Sequence, residues 1–151
     1  MPQRSADRDA LRSEAAGRPF SPVIALLTVS SVWDAHLGAA LKPLGLTTRK
    51  YGLLAHIRAT PDISFSELAR RSQITVQTAH TAVHALVDDG MVSDGTAIPG
   101  APSHLRMTEK GARALTEADS RLADLDTALG TQAPAFAAAL RGMHEEPVGA
   151  K

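Results

Sequence analysis

No cysteine occurs anywhere in the chain. Disulfide staples, zinc–thiolate sites, thiolate nucleophiles and cysteine redox switches are therefore excluded. Aromatic residues make up only 3% of the sequence, with one Trp, one Tyr and three Phe. The core must then be built from Leu, Ile, Val and Ala. Neither sign of charge dominates, since 16 basic residues face 16 acidic ones. A strongly basic footprint for nucleic acid is absent at the level of the whole chain. Long apolar runs are also lacking. Val23–Val29 is already broken by Thr28, and no uninterrupted stretch reaches the ~18–20 apolar residues that span a bilayer. Residues 1–18 are polar and hold no signal-peptide core, so a cytoplasmic location and no membrane partner are expected.

What is present is a chain of 151 residues, 44% of them hydrophobic, enough for one domain with a core. Residues 1–20 carry Pro, Gly and mixed charge and are predicted to be a mobile tail. Ser21-Pro22 has the form of an N-cap followed by proline in the first turn. Apolar residues at three- and four-residue steps from Val23 to Leu41 then predict a long helix, ended by Pro43 and Gly45. Thr47 is placed to cap a second helix bearing Tyr51, Leu54 and Ile57, which Thr60-Pro61-Asp62 breaks. Ile63 is expected in a one- or two-residue strand.

Ser64 and Glu67 have capping-box spacing ahead of a short helix over Glu67–Arg71. After a turn at Ser72-Gln73, Thr75 caps a helix from Val76 to about Asp88, with Val76, Ala79, Val83, Leu86 and Val87 facing inward. Gly90 supplies its left-handed end. Two short strands, Met91–Ser93 and His104–Met107, flank a Gly/Pro-rich loop and predict a hairpin. Thr108 caps a final long helix with a stripe at Ala112, Leu115, Ala118, Leu122, Leu125 and Leu129. Gly130 and Pro134 are expected to interrupt it before a last short helix, and residues 144–151 to fray.

Two helices joined by a tight turn and followed by a hairpin make a winged helix-turn-helix. In this motif the first helix braces the second, which enters the major groove. Small residues are needed where the helices cross, and Ala69 and Ala79 meet that need. Gly45-Leu46-Thr47 with Tyr51 and Leu54, Ser66-Glu67-Leu68-Ala69, Leu86-Val87-Asp88-Asp89-Gly90-Met91-Val92 and Met107-Thr108-Glu109-Lys110-Gly111 together resemble the MarR-type transcriptional regulators over roughly residues 21–143. The resemblance implies a mainly α fold with a small β-hairpin. The winged helix-turn-helix would span about 47–108, with N- and C-terminal dimerisation helices over about 21–44 and 109–143 in a single domain. It further implies a homodimer on near-palindromic double-stranded DNA, released by a small, often aromatic ligand. Wings of that family usually carry arginines, whereas residues 95–103 here bear no charge, and no Lys or Arg lies between Ser72 and Leu105. Residues 61–108 hold 3 basic and 5 acidic residues.

The candidate DNA-binding residues are Thr75, Gln77, Thr78, His80, Thr81 and His84 on the reader helix, with His104 and Arg106 at the wing. Gln and Thr suit base edges; an ordinary solvated helix face is the plainer alternative. Arg4, Arg8, Arg12 and Arg18 could reach DNA as a tail, or be neutralised by their acidic neighbours. His80 and His84 stand four apart, but no further ligand cluster accompanies them, so no metal and no cofactor are expected. Trp33 and His36, with Tyr51, are candidates for a ligand pocket. For Trp33 a core or dimer anchor is the alternative. No phosphate loop, Gly-x-Ser-x-Gly or Ser/His/Asp pattern is present, so an enzyme is not expected. Two functions remain open: a ligand-responsive, DNA-binding repressor, and a winged-helix protein with weakened DNA binding that serves as a ligand-binding or protein-interaction module.

Overall fold

The computed structural model describes residues 19–95 and 104–145. The expectations placed on residues 1–18, 96–103 and 146–151 lie outside the described residues. The elements run α1 (Pro22–Leu41), a 3-10 turn (Lys42–Leu44), α2 (Thr48–Ala59), α3 (Phe65–Ser72), α4 (Val76–Asp88), β1 (Val92–Asp94), β2 (Leu105–Met107), α5 (Glu109–Gln132) and α6 (Pro134–Glu145). The fold is mainly α with one antiparallel hairpin, in which Ser93 pairs with Arg106.

Capping chemistry sets most of the boundaries. The hydroxyls of Thr47, Ser64, Thr75 and Thr108 each accept the backbone N–H three residues on, at 3.1 Å in every case. Each satisfies one of the otherwise orphaned donors of a first helical turn. Ser21 does the same more loosely for Ile24, at 3.4 Å. The capping box at Ser64 is only half formed, because the Glu67 carboxylate takes Arg70 and Arg71. Gly45 and Gly90 end their elements at positive φ, 69° and 73°.

The described residues fall into two units that divide inside α1, between Asp34 and Ala35. In the first unit Phe20, Val23, Ile24, Leu26, Leu27 and Val32 are all at least half exposed. In the second, Leu41, Leu53, Leu54, Ile57, Leu68, Leu86, Leu105 and Leu115 form a fully buried core. It joins the end of α1, helices α2 to α5 and the root of the hairpin.

Four expectations are corrected. Ile63 is buried but belongs to no strand; the adjoining loop is tied to β2 by a backbone bond from Asp62 N–H to the Leu105 carbonyl, at 3.0 Å. Val76 is exposed rather than inward, since it lies in the first turn of α4, at the edge of the stripe formed by Ala79, Val83 and Leu86. Gly130 does not interrupt α5, which runs on to Gln132. One glycine costs a helix only about 1 kcal/mol against alanine, too little to break six turns. Finally, the helical stretch Pro22–Leu44 is long and apolar enough to cross a membrane by length and composition. A count of unbroken apolar residues missed this because Thr28, Ser30, Ser31, Asp34, His36 and Gly38 interrupt the run while its mean hydropathy stays high.

Candidate nucleic-acid interface

The helix-turn-helix is joined by a left-handed residue that is not glycine. Gln73 has φ 54°, and its N–H closes α3 against the carbonyls of Ala69 and Arg70. Ile74 N–H donates to the Ala69 carbonyl at 3.0 Å. Ala69 and Ala79 are both buried where α3 and α4 pack together, as the close crossing requires. Phe65 at the start of α3 stacks on His80 of α4, ring centroids 3.8 Å apart and planes within 17°.

This arrangement turns one face of α4 outward. Gln77, Thr81 and His84 are exposed, while Thr78 and His80 are half-buried. Thr75 and Thr78 share a hydroxyl–hydroxyl bond of 2.8 Å at the N-terminus. The Thr81 hydroxyl donates back to the Gln77 carbonyl at 3.1 Å, leaving its oxygen lone pairs outward-facing acceptors. His84 stands 6.4 Å from His80, ring to ring. Of the six reader-helix candidates, His80 is thus a brace between the two helices as much as a surface group. Among the described residues, no group of three His, Cys, Asp or Glu is placed to hold a metal ion.

The cations of this region are held by neighbouring carboxylates. Glu67 chelates Arg70 and takes Arg71 as well, at 2.6 and 2.7 Å. The hydrogen bonds from Arg70 and then Arg71 lower its carboxyl to about 2. The same contact raises the Arg70 guanidinium above its ordinary value. At the hairpin, Arg106 grips Asp62 with Nε at 3.2 Å and Nη2 at 2.7 Å, and His104 Nδ1 stands 3.4 Å from the same carboxylate. The two wing candidates are therefore brought together, around a residue that sequence reasoning treated only as part of a turn. Asp62 has φ 62°, in the left-handed region that Asp tolerates better than most residues. That tolerance was the one signal in the sequence that could have singled it out.

Three segments meet at the C-terminus of α4. The Asp89 carboxylate takes Lys50 Nζ at 2.7 Å, and its carbonyl takes Lys110 Nζ at 2.7 Å. Thr108 donates its hydroxyl to the Gly90 carbonyl at 2.6 Å and its N–H to the Met91 carbonyl at 3.0 Å. Gly111 follows so closely under Met91 that any Cβ there would collide with the Met91 carbonyl oxygen. The Thr-Glu-Lys-Gly sequence thus receives the end of α4 through a hydroxyl, an ammonium and a missing side chain.

Of the ligand-pocket candidates, Tyr51 is half-buried and donates to Asp119 at 2.9 Å, while Arg58 takes the other oxygen at 2.7 Å. Burial first, then the bond to Asp119, raises the Tyr51 phenol. Burial pushes the Asp119 carboxyl up, but the hydrogen bonds from Arg58 and Tyr51 and the Arg58 charge outweigh it and leave it below the usual value. Trp33 is half-buried and His36 exposed, three residues apart on α1.

The family model of the MarR family matches residues 44–96, the segment that holds α2, the helix-turn-helix and β1. Over that segment the chain is similar to the MarR family. The HTH-type transcriptional repressor Rv2887 of Mycobacterium tuberculosis is 37% identical over 68 residues, 45% of this chain. The chain spans about half the length of the curated relatives it matches, 49% of that repressor. Among solved structures, the Mycobacterium tuberculosis MarR family protein Rv2887 in complex with DNA is 26% identical, with TM-score 0.68, over 87% of this chain and 100% of that one. The same protein in complex with salicylic acid matches at 25% identity and TM-score 0.64, over 84% of this chain and 96% of that one. Sco5413 of Streptomyces coelicolor, a MarR family regulator, shares the fold at 22% identity and TM-score 0.67, over 88% of this chain and 93% of that one.

Proposed function

We propose that this MarR-type chain is a homodimeric transcriptional repressor that reads a near-palindromic DNA site and is released by a small aromatic ligand. The observation that carries the reading is the outward face of α4. It places Gln77, Thr81 and His84 on the exposed side of a capped helix that α3 braces from behind. Thr75, Thr78 and His80 complete the proposed contact set. One similar protein solved both with DNA and with salicylic acid supports the same reading. The exposed apolar residues of α1, with Leu140 and Met143 on α6, suit cover by a second copy. Two copies would then present two reader helices to two half-sites. Ligand contacts are proposed at Trp33, His36 and Tyr51, and the protein works in the cytoplasm, where its DNA is.

The test is binding of the purified chain to a labelled duplex from its own upstream region, with unlabelled nonspecific DNA in excess and with salicylate added. The repressor reading expects specific binding that salicylate weakens.

A second reading is favoured by one feature, the engagement of Arg70, Arg71 and Arg106 by Glu67 and Asp62. Phosphate contact by cations supplies most nonspecific affinity. A winged helix with its cations so occupied could serve as a ligand-binding or protein-interaction module instead. Ligand binding with no specific DNA binding at low salt would favour that reading.

A further inference from the structure

The loop before α3 and the root of the wing are joined by one residue, Asp62. Its N–H is fixed to the carbonyl of Leu105, a fully buried strand residue. Its carboxylate faces the outward side chain of the next residue, Arg106, and receives it in a two-point fork. His104 closes the other side of the same oxygen. Asp62 holds φ 62°, a conformation glycine would adopt without strain. The side chain is therefore what this position gains over a plain turn.

The first helix of a helix-turn-helix crosses the DNA backbone, and the Asp62–Arg106 fork stands just ahead of that helix, α3. On the DNA-binding reading proposed above, on which this inference rests, Arg106 stands at the phosphate side of the reader. It is also the only cation on the described part of the hairpin. We infer that Asp62 is an affinity-setting latch: it positions the wing root and withholds the Arg106 guanidinium from phosphate. The positioning acts through Arg106, and Asp62 itself touches no DNA. The latch holds this chain's affinity low and makes it less sensitive to salt than a free wing cation would.

The test measures affinity for the upstream duplex from about 50 to about 200 mM salt, where each phosphate contact adds about 0.9 to the log–log slope. Asp62→Asn keeps the shape and tolerates positive φ. Asp62→Gly removes the backbone strain altogether and serves if the first variant folds poorly. Either should steepen the slope by about 0.9 per subunit, a roughly 3.5-fold larger loss across that salt range for each arginine released. Adding Arg106→Ala to Asp62→Asn should abolish the steepening, while adding Arg106→Lys instead should keep it, because a phosphate accepts either cation. A gain in affinity without a change of slope, or the same steepening in the Arg106→Ala background, overturns the latch: Asp62 would then act only as a repelling charge. Unchanged or weaker binding by Asp62→Asn and Asp62→Gly overturns it as well. Specific binding by the unaltered chain with any of these results leaves the DNA-binding reading standing. Absence of binding by every variant removes both.

Discussion

Gly111 carries a structural demand that its neighbours in sequence do not announce. A Cβ there would meet the Met91 carbonyl oxygen and the Met107 side chain, and the backbone on one side cannot yield cheaply. Gly111→Ala is expected to lower stability by about 1–3 kcal/mol, as overpacking does, read as an earlier denaturation midpoint with unchanged slope. Gly52, in α2, has only open space where a methyl group would stand. Gly52→Ala should therefore raise stability by about 0.5–1 kcal/mol through helix propensity and the unfolded chain. An equal effect of the two substitutions would mean the joint under Met91 is looser than described. The motif around Gly111 was legible in the sequence as a resemblance. Its reason was not, because the Met91 carbonyl lies 20 positions away and only the fold brings it overhead. Asp119 was hidden in the same way: nothing local marks it as the partner of Tyr51 and Arg58, which reach it from α2.

At the scale of elements, caps and small residues were the legible part. Thr47, Ser64, Thr75 and Thr108 all cap as their spacing predicted, since a cap needs only a hydroxyl and a donor three residues on. Thr75→Ala should cost about 1 kcal/mol of stability, measured by thermal or denaturant unfolding; Thr75→Ser should restore most of it. Val76 and Gly130 were misread because periodicity cannot say where a neighbouring helix stops covering a stripe, nor when a long helix carries a glycine through.

The junction of α2 with α5 rests on Tyr51, Arg58 and Asp119, and its pH dependence has a definite sign. The Asp119 carboxyl is lowered in the folded chain. Its contribution is present above the ordinary carboxylate value of about 4 and is lost as pH falls through the lower folded value. Tyr51 is raised, so its contribution holds below about 10 and is lost as pH rises beyond its folded value. Asp119→Asn should be less stable than the unaltered chain near neutral pH, by no more than about 1 kcal/mol given the solvent access of the pair. That gap should close as the solution is acidified below the carboxylate range. A gap that persists in strong acid would mean that the charge on Asp119 is not what joins the helices.

Over the whole molecule, charge balance is the dominant fact. The chain's net charge is zero, and the few arginines of the helix-turn-helix and hairpin are engaged by carboxylates of the same segment. The uncharged wing residues 95–103 were plain in the sequence; the engagement of Arg106 was not, because Asp62 lies 44 residues before it. The exposed apolar faces of α1 and α6 call for a partner surface in the proposed homodimer. Leu122 and Leu125 on α5 are half-buried, and Leu122→Asp or Leu125→Asp should shift the chain from dimer to monomer in sedimentation at micromolar concentration, because an unpaired charge in a buried seam costs several kcal/mol. A chain that sediments as a monomer without any substitution would contradict the dimer.

The central claim is that α4 reads DNA through its outward polar face. The most direct measurement is the affinity of the unaltered chain and of a Gln77→Ala/Thr81→Ala/His84→Ala variant for a duplex from the upstream region, against the same duplex with single base pairs changed. The account predicts that the folded variant loses most of its preference for the correct site, about 1–3 kcal/mol for each base-contacting side chain, while its weak binding to unrelated DNA persists. Undiminished preference in that variant would contradict it and move the reading surface away from α4.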